Sequence, residues 1–312
     1  MNLFVIGSSN IDLVIYLKRI PKIGETVIGG EFKKIFGGKG ANQAVSAKKA
    51  GAKVKFITQL GDDSFGLELK TYYNELGLDC KYILTDNKHP TGLAQILVSE
   101  RGENSIAVAP GSNGTLTFQK LKPYLEEIAN ADLVLIQFEI PIQTVISIID
   151  FCYENKVRVI VNPAPAVCLP ADVLNKIWMI TPNESELELL TDISVNNKVS
   201  AIEAARKLIN SGIENCIVTL GDKGSMWLSS NGVFEFSIPA IKAIDTTAAG
   251  DVFNGCLAHC VLNKIPLKSS IIKAHTAASL SVTKKGAQTS IPNDQEIFSF
   301  SKNFNVKVIQ HD

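Results

Sequence analysis

The sequence lacks an excess of charge of either sign. Lysine plus arginine and aspartate plus glutamate each number 31, so the formal net charge at pH 7 is zero. A neutral balance argues against the broad electrostatic attraction by which proteins bind DNA, RNA or an anionic membrane. A local anion site remains possible.

Segments that direct a chain to a membrane are also lacking. No basic residue precedes Lys18, and no apolar run approaches the length of a membrane span, which is about 20 residues. The sequence therefore predicts neither a signal peptide nor an anchor, and it favours a cytoplasmic location.

Cysteine and histidine are few, with six and four copies. The cysteines are scattered through apolar surroundings, which favours reduced, buried thiols over a disulfide framework. The stretch from Cys256 through His259 to Cys260 could suggest a metal site, but further ligands would have to come from elsewhere. Small core residues on one helix are the preferred interpretation.

Two nucleotide-binding motifs are absent, the dinucleotide pattern G-x-G-x-x-G and the P-loop pattern G-x-x-x-x-G-K-[ST]. The first absence disfavours a nicotinamide-dependent dehydrogenase. What the sequence does contain is a regular alternation of helical patterns with short apolar, β-branched runs at 3–6, 53–58, 132–138, 157–161 and 216–220. This alternation predicts one α/β domain over 1–312, with a doubly wound, mostly parallel sheet flanked by helices.

Residues 13–36 and 91–109 interrupt the alternation. They contain no good helix and are typical of hairpins with glycine-rich turns. Such hairpins could close over a site as a small β-sheet lid, pair with another subunit, or do both; a decoration of the sheet edge is the alternative.

Ligands of open α/β sheets bind beyond the carboxyl ends of the strands, so these junctions are candidate sites. The first junction is G-S-S-N-I-D at 7–12. Asn10 and Asp12 are two residues apart on an extended segment and could bind vicinal hydroxyl groups, although an Asx-turn is equally consistent.

The second junction is F-G-G-K-G-A-N-Q-A at 36–44, where three glycines surround Lys39 at the start of a helix and Asn42 is close by. Glu139 follows the apolar run at 132–138 and is a further candidate.

The third junction is T-P-N-E-S-E at 181–186. Asn183 and Glu186 share a helix face. Asn183 could simply cap the helix, or the pair could hold hydrated Mg²⁺, which keeps several of its waters.

The fourth junction is I-D-T-T-A-A-G-D at 244–251. Its small residues leave the backbone N–H groups of Ala248, Ala249 and Gly250 open at a helix N-terminus, which predicts an anion hole. Asp251 follows directly, and its carboxylate would repel a phosphate unless it accepts a proton from an attacking group. Its predicted role is therefore general base. Capping by Asp251 is the alternative, and it leaves the small residues unexplained.

In order and spacing, these elements resemble the ribokinase-like carbohydrate kinase family over nearly the whole chain. Further matching motifs are N-P-A-P-A at 162–166, V-T-L-G-D-K-G at 218–224 and K-K-G-A-Q-T-S-I-P at 284–292. G-G-K-G-A-N-Q-A together with N-P-A-P-A is specific to the ribokinase branch. The resemblance implies ATP-dependent phosphorylation of D-ribose at O5, by a homodimer whose hairpins pair across subunits and cover the sugar.

The resemblance also assigns residues. Asp251 would deprotonate the 5-hydroxyl of a ribose bound by Asn10, Asp12, Gly38, Lys39, Asn42 and Glu139. The adenine nucleotide is expected along Asn183, Thr219, Gly221, Gly224, Gly250 and His275. An activating monovalent cation, K⁺, would be held by Asp245 and by the main chain or side chains of Thr247, Ser281, Lys284, Gly286 and Ser290. Only the resemblance points to His275.

Other functions stay open. The same chemistry could serve deoxyribose, another pentose or a nucleoside, and a non-catalytic sugar or nucleotide sensor could use the same scaffold. A sensor has no need of a base, so the pairing of Ala248–Gly250 with Asp251 argues against it. The alternating tail at 303–312 predicts an added edge strand or a partner contact, with disorder as the alternative.

Overall fold

The computed structural model describes residues 1–311. Its strands are β1 (Leu3–Ile6), β2 (Asn10–Leu17), β3 (Glu31–Gly37), β4 (Val54–Gly61), β5 (Ile83–Asp86), β6 (Gly92–Ser99), β7 (Asn104–Ala109), β8 (Leu133–Gln137), β9 (Arg158–Asn162), β10 (Met179–Ile180), β11 (Asn215–Thr219), β12 (Ser225–Ser229), β13 (Gly232–Ser237) and β14 (Lys307–His311). Its α-helices are α1 (Lys39–Lys49), α2 (Ser64–Glu75), α3 (Phe118–Leu121), α4 (Leu125–Ala129), α5 (Ile142–Glu154), α6 (Ala171–Leu174), α7 (Glu184–Thr191), α8 (Lys198–Asn210), α9 (Ala249–Leu262), α10 (Leu267–Ser281) and α11 (Asp294–Ser301).

The large sheet has ten strands in the order β14-β13-β12-β11-β10-β9-β8-β1-β4-β5. From β11 to β5 neighbouring strands are parallel, and β12, β13 and β14 extend the sheet antiparallel. All five predicted apolar runs lie on parallel strands of this sheet. The predicted fold, a mostly parallel sheet flanked by helices, is confirmed.

Successive side chains of the central strands point to opposite faces of the large sheet and pack into two apolar layers. Leu3 and Val5 of β1 belong to the core that includes residues of α1, α9 and α10, whereas Phe4 and Ile6 belong to the core that includes residues of α5 and α8. Because both faces of β1 are covered, all four of its residues are fully buried. Each such side chain contributes about 1.5–3 kcal/mol of transfer free energy.

A separate small sheet has the order β3-β2-β6-β7. The β2–β3 and β6–β7 pairs are antiparallel hairpins, and β2 joins β6 in parallel. Only residues 7–9 separate β1 from β2, so the small sheet leaves the large one directly at its carboxyl edge. It is therefore placed beside the predicted ligand site.

Of the alternatives for the tail at 303–312, the structure shows the edge strand. β14 pairs antiparallel with β13, and the imidazole Nε2 of His311 lies 3.1 Å from Oε2 of Glu235, which also accepts a hydrogen bond from Lys198. The last residue of the predicted tail, 312, lies outside the described residues.

Within residues 1–311, no helix has both the length and the apolar character needed to cross a membrane. The six cysteines carry free thiols. In the same part of the chain, no cluster of three or more histidine, cysteine or acidic side chains is arranged to hold a metal ion.

Candidate active site

The carboxyl edge of the parallel strands brings most predicted site residues to one side of the molecule. Asn10 follows β1, Glu139 follows β8 and Thr219 ends β11. Asn183 follows β10 and forms an isolated parallel bridge with Thr219. Residues far apart in the chain therefore face one region because parallel strands end at one edge.

Asp251 lies in the first turn of α9 and is 7% exposed. Its Oδ2 accepts a hydrogen bond from Nδ2 of Asn42, and its Oδ1 accepts one from Nε2 of Gln43, both at 2.9 Å. Two amides of α1 thus fix both carboxylate oxygens, and each oxygen keeps a lone pair for a further donor.

Close packing of α1 against α9 makes this geometry possible. A Cβ at Gly255 would lie 2.5 Å from the carbonyl oxygen of Gln43 and 2.5 Å from Cβ of Ser46. Only glycine permits this approach. The hydroxyl of Ser46 then donates to the carbonyl of Val252 at 2.9 Å, which ties the two helices together beside Asp251.

Four carboxyl groups, those of Asp12, Glu139, Glu186 and Asp251, lie near enough to the ammonium group of Lys39 to act on its charge. Burial raises the pKa of Asp12 to about 7, and the charges of Glu139 and Asp251 add to the effect. Burial also raises the pKa of Asp251, although Lys39 and the two amides oppose it. Burial alone would lower the pKa of Lys39, but the surrounding carboxylates, led by Asp251 and Glu139, raise it. The cluster is suited to accept hydrogen bonds and a proton.

Glu139 is fixed at the N-terminus of α1. Its Oε2 accepts hydrogen bonds from the hydroxyl of Ser8 at 2.6 Å and from the backbone N–H of Lys39 at 2.9 Å. Gly38, the N-cap of this helix, has φ 89° and packs on the backbone of Ser9. A positive φ favours glycine here, so the loop before Lys39 is held against the start of β2.

Two further amides face the predicted sugar region. Oδ1 of Asn42 is buried and has no hydrogen-bond partner within the described residues. Oδ1 of Asn10 accepts a hydrogen bond from Nδ2 of Asn113 at 2.8 Å. Asn113 also bonds both the N–H and the C=O of Ser9, so it fixes the point where the small sheet begins.

The predicted anion hole lies at the N-terminus of α9. Ala248 adopts the left-handed conformation, with φ 62°, which costs on the order of 1–3 kcal/mol for a residue other than glycine. The N–H of Ala249 closes the turn by donating to the carbonyl of Thr246 at 3.2 Å. Across residues 1–311 the N–H groups of Ala248 and Gly250 have no acceptor, and a Cβ at Gly250 would meet open space. Two of the three predicted donors are therefore open.

Asn183 and Glu186 form a capping box at the start of α7. Oδ1 of Asn183 accepts from the N–H of Glu186 at 2.8 Å, and Oε2 of Glu186 accepts from the N–H of Asn183 at 2.9 Å. Asn183 therefore caps α7, which is one of the two roles that the sequence analysis left open for it. Oε1 of Glu186 accepts no hydrogen bond from the described residues, so one oxygen remains for a hydrated cation.

The other predicted nucleotide residues follow β11. Thr219 ends the strand, and Gly221 and Gly224 flank a short turn that leads into β12. His275 lies behind this turn in the core, with Nε2 2.7 Å from the hydroxyl of Ser225 and its ring centroid 4.9 Å from that of Phe253. Burial lowers the pKa of His275 to about 4, so the ring is neutral.

Asp245 joins the two segments predicted to hold a monovalent cation. Its Oδ1 accepts from the N–H and the hydroxyl of Thr247 at 3.0 and 2.6 Å, and its Oδ2 accepts from the N–H of Gly286 at 2.9 Å. The N–H groups of Ile244 and Asp245 both donate to the carbonyl of Val282. A carboxylate and the main-chain carbonyl of Val282 thus lie close together here, and a hard cation prefers such oxygen ligands.

The remaining predicted cation residues make local contacts. Ser281 and Ser290 donate their hydroxyl protons to the carbonyls of Ala278 and Ala287, each at 2.8 Å. The ammonium group of Lys284 pairs with Glu296 at 2.7 Å. The hydroxyl oxygens of Ser281 and Ser290 keep lone pairs for a cation, whereas the charged side chain of Lys284 does not offer one.

Comparison with known proteins identifies the family of the chain. A family model described as pfkB family carbohydrate kinase matches residues 1–294, and the chain belongs to this family. The chain is 42% identical to the ribokinase of Haemophilus influenzae, over 96% of this chain and 97% of that protein. It is 36% identical to the deoxyribokinase of Salmonella typhi, over 95% and 97%. The solved structure of Arabidopsis thaliana ribokinase complexed with ribose and ATP is similar with a TM-score of 0.88 and 31% identity, over 96% and 98% of the two chains.

Proposed function

We propose that the protein is a ribokinase, which transfers the γ-phosphoryl group of ATP to O5 of D-ribose and forms D-ribose 5-phosphate. Its family and its ribokinase relatives support this reaction. The observation that carries it is the position of Asp251. Both of its carboxylate oxygens are oriented by amides, and it lies one residue beyond open N–H donors at the start of α9.

In the proposed reaction Asp251 accepts the proton of the 5-hydroxyl as O5 attacks the γ-phosphorus. The bond from O5 to phosphorus forms while the bond to the bridging oxygen breaks, and ADP leaves. The N–H groups of Ala248 and Gly250 stabilise charge on the transferring phosphoryl group. The sugar is held by the carboxylates of Asp12 and Glu139, and by the other predicted residues, Asn10, Gly38, Lys39 and Asn42.

The nucleotide lies along Asn183, Thr219, Gly221, Gly224 and Gly250 in this proposal, and His275 supports the loop from the core. Mg²⁺, when bound, would neutralise phosphate charge, and Asn183 and Glu186 would contact its waters. A monovalent cation such as K⁺ would be held by Asp245 together with Thr247, Ser281, Lys284, Gly286 and Ser290.

We also propose a cytoplasmic homodimer built on one α/β domain. The hairpins at 13–36 and 91–109 would act as lid and subunit contact. All six residues of β7 are exposed, among them Ile106 and Val108, and Phe32 of β3 is exposed as well, so both edges of the small sheet offer apolar side chains. Light scattering of the purified protein tests the oligomeric state.

A coupled assay with Mg²⁺, K⁺, ATP and a panel of pentoses and nucleosides tests the reaction. ADP release with D-ribose supports the proposal, and no release with this sugar contradicts it. The second candidate is a deoxyribokinase, which the relative from Salmonella typhi supports. A site built to bind the 2-hydroxyl should reject deoxyribose by a factor of about 10⁴ in kcat/KM, so the ratio decides between them.

Ribose binding should weaken as the pH falls below 7. The pKa of Asp12 is raised to about 7, and its ionised form accepts hydrogen bonds from sugar hydroxyls more strongly than its protonated form. Affinity should therefore fall by up to about tenfold for each unit below that pKa. Calorimetry between pH 5.5 and 8.5 measures this dependence.

Asp12→Asn is the control, because it removes the titrating group. Its ribose affinity should be weaker and nearly independent of pH. The raised pKa also means that the ligand-free fold loses stability as the pH rises from the unfolded value towards 7, so Asp12→Asn should raise Tm more at pH 8 than at pH 5. An equal pH dependence of ribose binding in both proteins would rule out Asp12 as its source.

Asp245→Ala should remove stimulation by K⁺. The change breaks the hydrogen bonds that join Thr247 to Gly286 and deletes the carboxylate offered to the cation. Activity in K⁺ should fall to the level measured without K⁺, and the K⁺-dependent increase in Tm should disappear. Asp172→Ala, at an exposed position of α6, should keep both responses. Retention of the Tm increase in Asp245→Ala would place the cation elsewhere.

A further inference from the structure

A buried row of amide side chains lies against Asp251. Gln43 and Gln137 are fully buried, and Asn162 is 7% exposed. Nε2 of Gln43 donates to Oδ1 of Asp251 and to Oδ1 of Asn162, each at 2.9 Å. Oε1 of Gln43 accepts from Nε2 of Gln137 at 2.6 Å.

This pattern fixes the orientation of the Gln43 amide. Both of its N–H bonds are used by oxygen acceptors, and its oxygen faces a donor. Rotation of the amide by half a turn would place Oε1 against the oxygens of Asp251 and Asn162. It would also place the NH₂ group of Gln43 against the NH₂ group of Gln137. Only one orientation satisfies all the contacts, so the donor toward Asp251 is set in advance.

The sheet holds the row in place. Gln137 and Asn162 are the last residues of the neighbouring strands β8 and β9, and they are paired in register. Nδ2 of Asn162 donates to the carbonyl of Thr181, which follows β10. Three parallel strands therefore anchor the amides at the edge where the site lies.

Packing alone does not explain these side chains. A buried amide costs free energy unless it is hydrogen-bonded, and methionine would fill a similar volume without that cost. The hydrogen bond from Gln43 has a specific effect on Asp251, because it favours the ionised carboxylate and opposes the rise in pKa that burial causes. An ionised carboxylate is the form that accepts a proton.

We propose that Gln43, held by Gln137, is a positioning residue that keeps Asp251 oriented and ionised for proton transfer. The proposal rests on the proposed kinase reaction, in which Asp251 is the base. Gln43 needs no contact with either substrate for this role.

Gln43→Met in the full chain tests the proposal. The loss of a donor to a charged group should lower kcat by about 10- to 100-fold, with KM for ribose largely unchanged. The acidic limb of the kcat–pH profile should move up by about one unit or more, because the ionised base is less stabilised. Gln137→Met should have a smaller effect in the same direction. The double variant should be no worse than Gln43→Met, because Gln137 acts through Gln43.

Gln59→Met is the matched control. Gln59 is also buried, but its Nε2 donates to Asp86, Thr115 and the carbonyl of Ser112. It should lose thermal stability and keep the wild-type pH profile. The proposal is overturned if Gln43→Met keeps the wild-type acidic limb, or if it loses activity by the same factor at every pH.

A failure of the proposal on Gln43 can be distinguished from a failure of the proposed kinase reaction. Wild-type turnover of ribose tests the reaction itself, whereas the proposal concerns the change relative to wild type. A ¹³C titration of the Asp251 carboxyl resonance gives the same comparison without turnover. Its pKa should be higher in Gln43→Met than in wild type, and an unchanged value would contradict the proposal. Gln137→Met, which leaves the Gln43–Asp251 bond in place, serves if Gln43→Met does not fold.

Discussion

Asp251→Asn is expected to lower kcat by about 10²-fold or more while ribose binding stays measurable, because a positioned general base typically contributes 10²–10⁴-fold. An amide has nearly the shape of the carboxylate but cannot accept the proton of the 5-hydroxyl. The other predicted sugar contacts, including Asp12 and Glu139, are untouched. Steady-state kinetics with ribose and calorimetry without ATP measure the two quantities.

Stability separates loss of chemistry from loss of fold in this variant. Burial raises the pKa of Asp251, which means that its charge is costly in the folded state. The neutral amide removes that cost, but its NH₂ group would oppose either Asn42 or Gln43, each of which donates to Asp251, so Tm at pH 8 should fall only modestly. Asp172→Asn, an exposed acid on α6, should keep wild-type kinetics. Normal turnover in Asp251→Asn would exclude the role of base.

The sequence was sufficient to predict the sheet and the strand ends, because both depend on local pattern. Runs such as L-F-V-I at 3–6 are buried on both faces, and a continuous apolar run is the direct sign of that environment. The aspartate after Ala248–Gly250 was identifiable for a similar reason, since small residues at a helix start form a local signal.

The amides against Asp251 could not be predicted in this way. Gln137 and Asn162 are 25 positions apart and meet only because β8 and β9 are neighbours in register. Their one local sign is that each is a polar residue ending an apolar strand. The role of Gly255 could not be predicted from the sequence either, because it depends on how closely α1 packs against α9. The sequence predicted an open N–H at Ala249, but this group donates a hydrogen bond to the carbonyl of Thr246 because Ala248 adopts a left-handed conformation.

Lys39→Met is expected to lower kcat/KM for ribose by up to about a thousandfold at pH 7, since removal of one partner from a fully buried charge pair typically costs about 3–5 kcal/mol and Lys39 is half-buried. Methionine keeps much of the volume and removes the charge. Lys39 lowers the pKa of both Asp12 and Asp251, so its loss raises both values further. At neutral pH a larger fraction of both Asp12 and Asp251 would then be protonated.

The pH dependence distinguishes this variant from Asp251→Asn. Because Lys39→Met keeps the base and only raises its pKa, part of kcat/KM should return as the pH is raised from 7 to 9. Asp251→Asn has no base to ionise and should show no such recovery. Lys70→Met, which removes an exposed ammonium group from α2, should behave as wild type throughout. A defect in Lys39→Met that is constant from pH 6 to 9 would mean that Lys39 contributes direct contacts to the sugar and does not control ionisation of the carboxyl cluster.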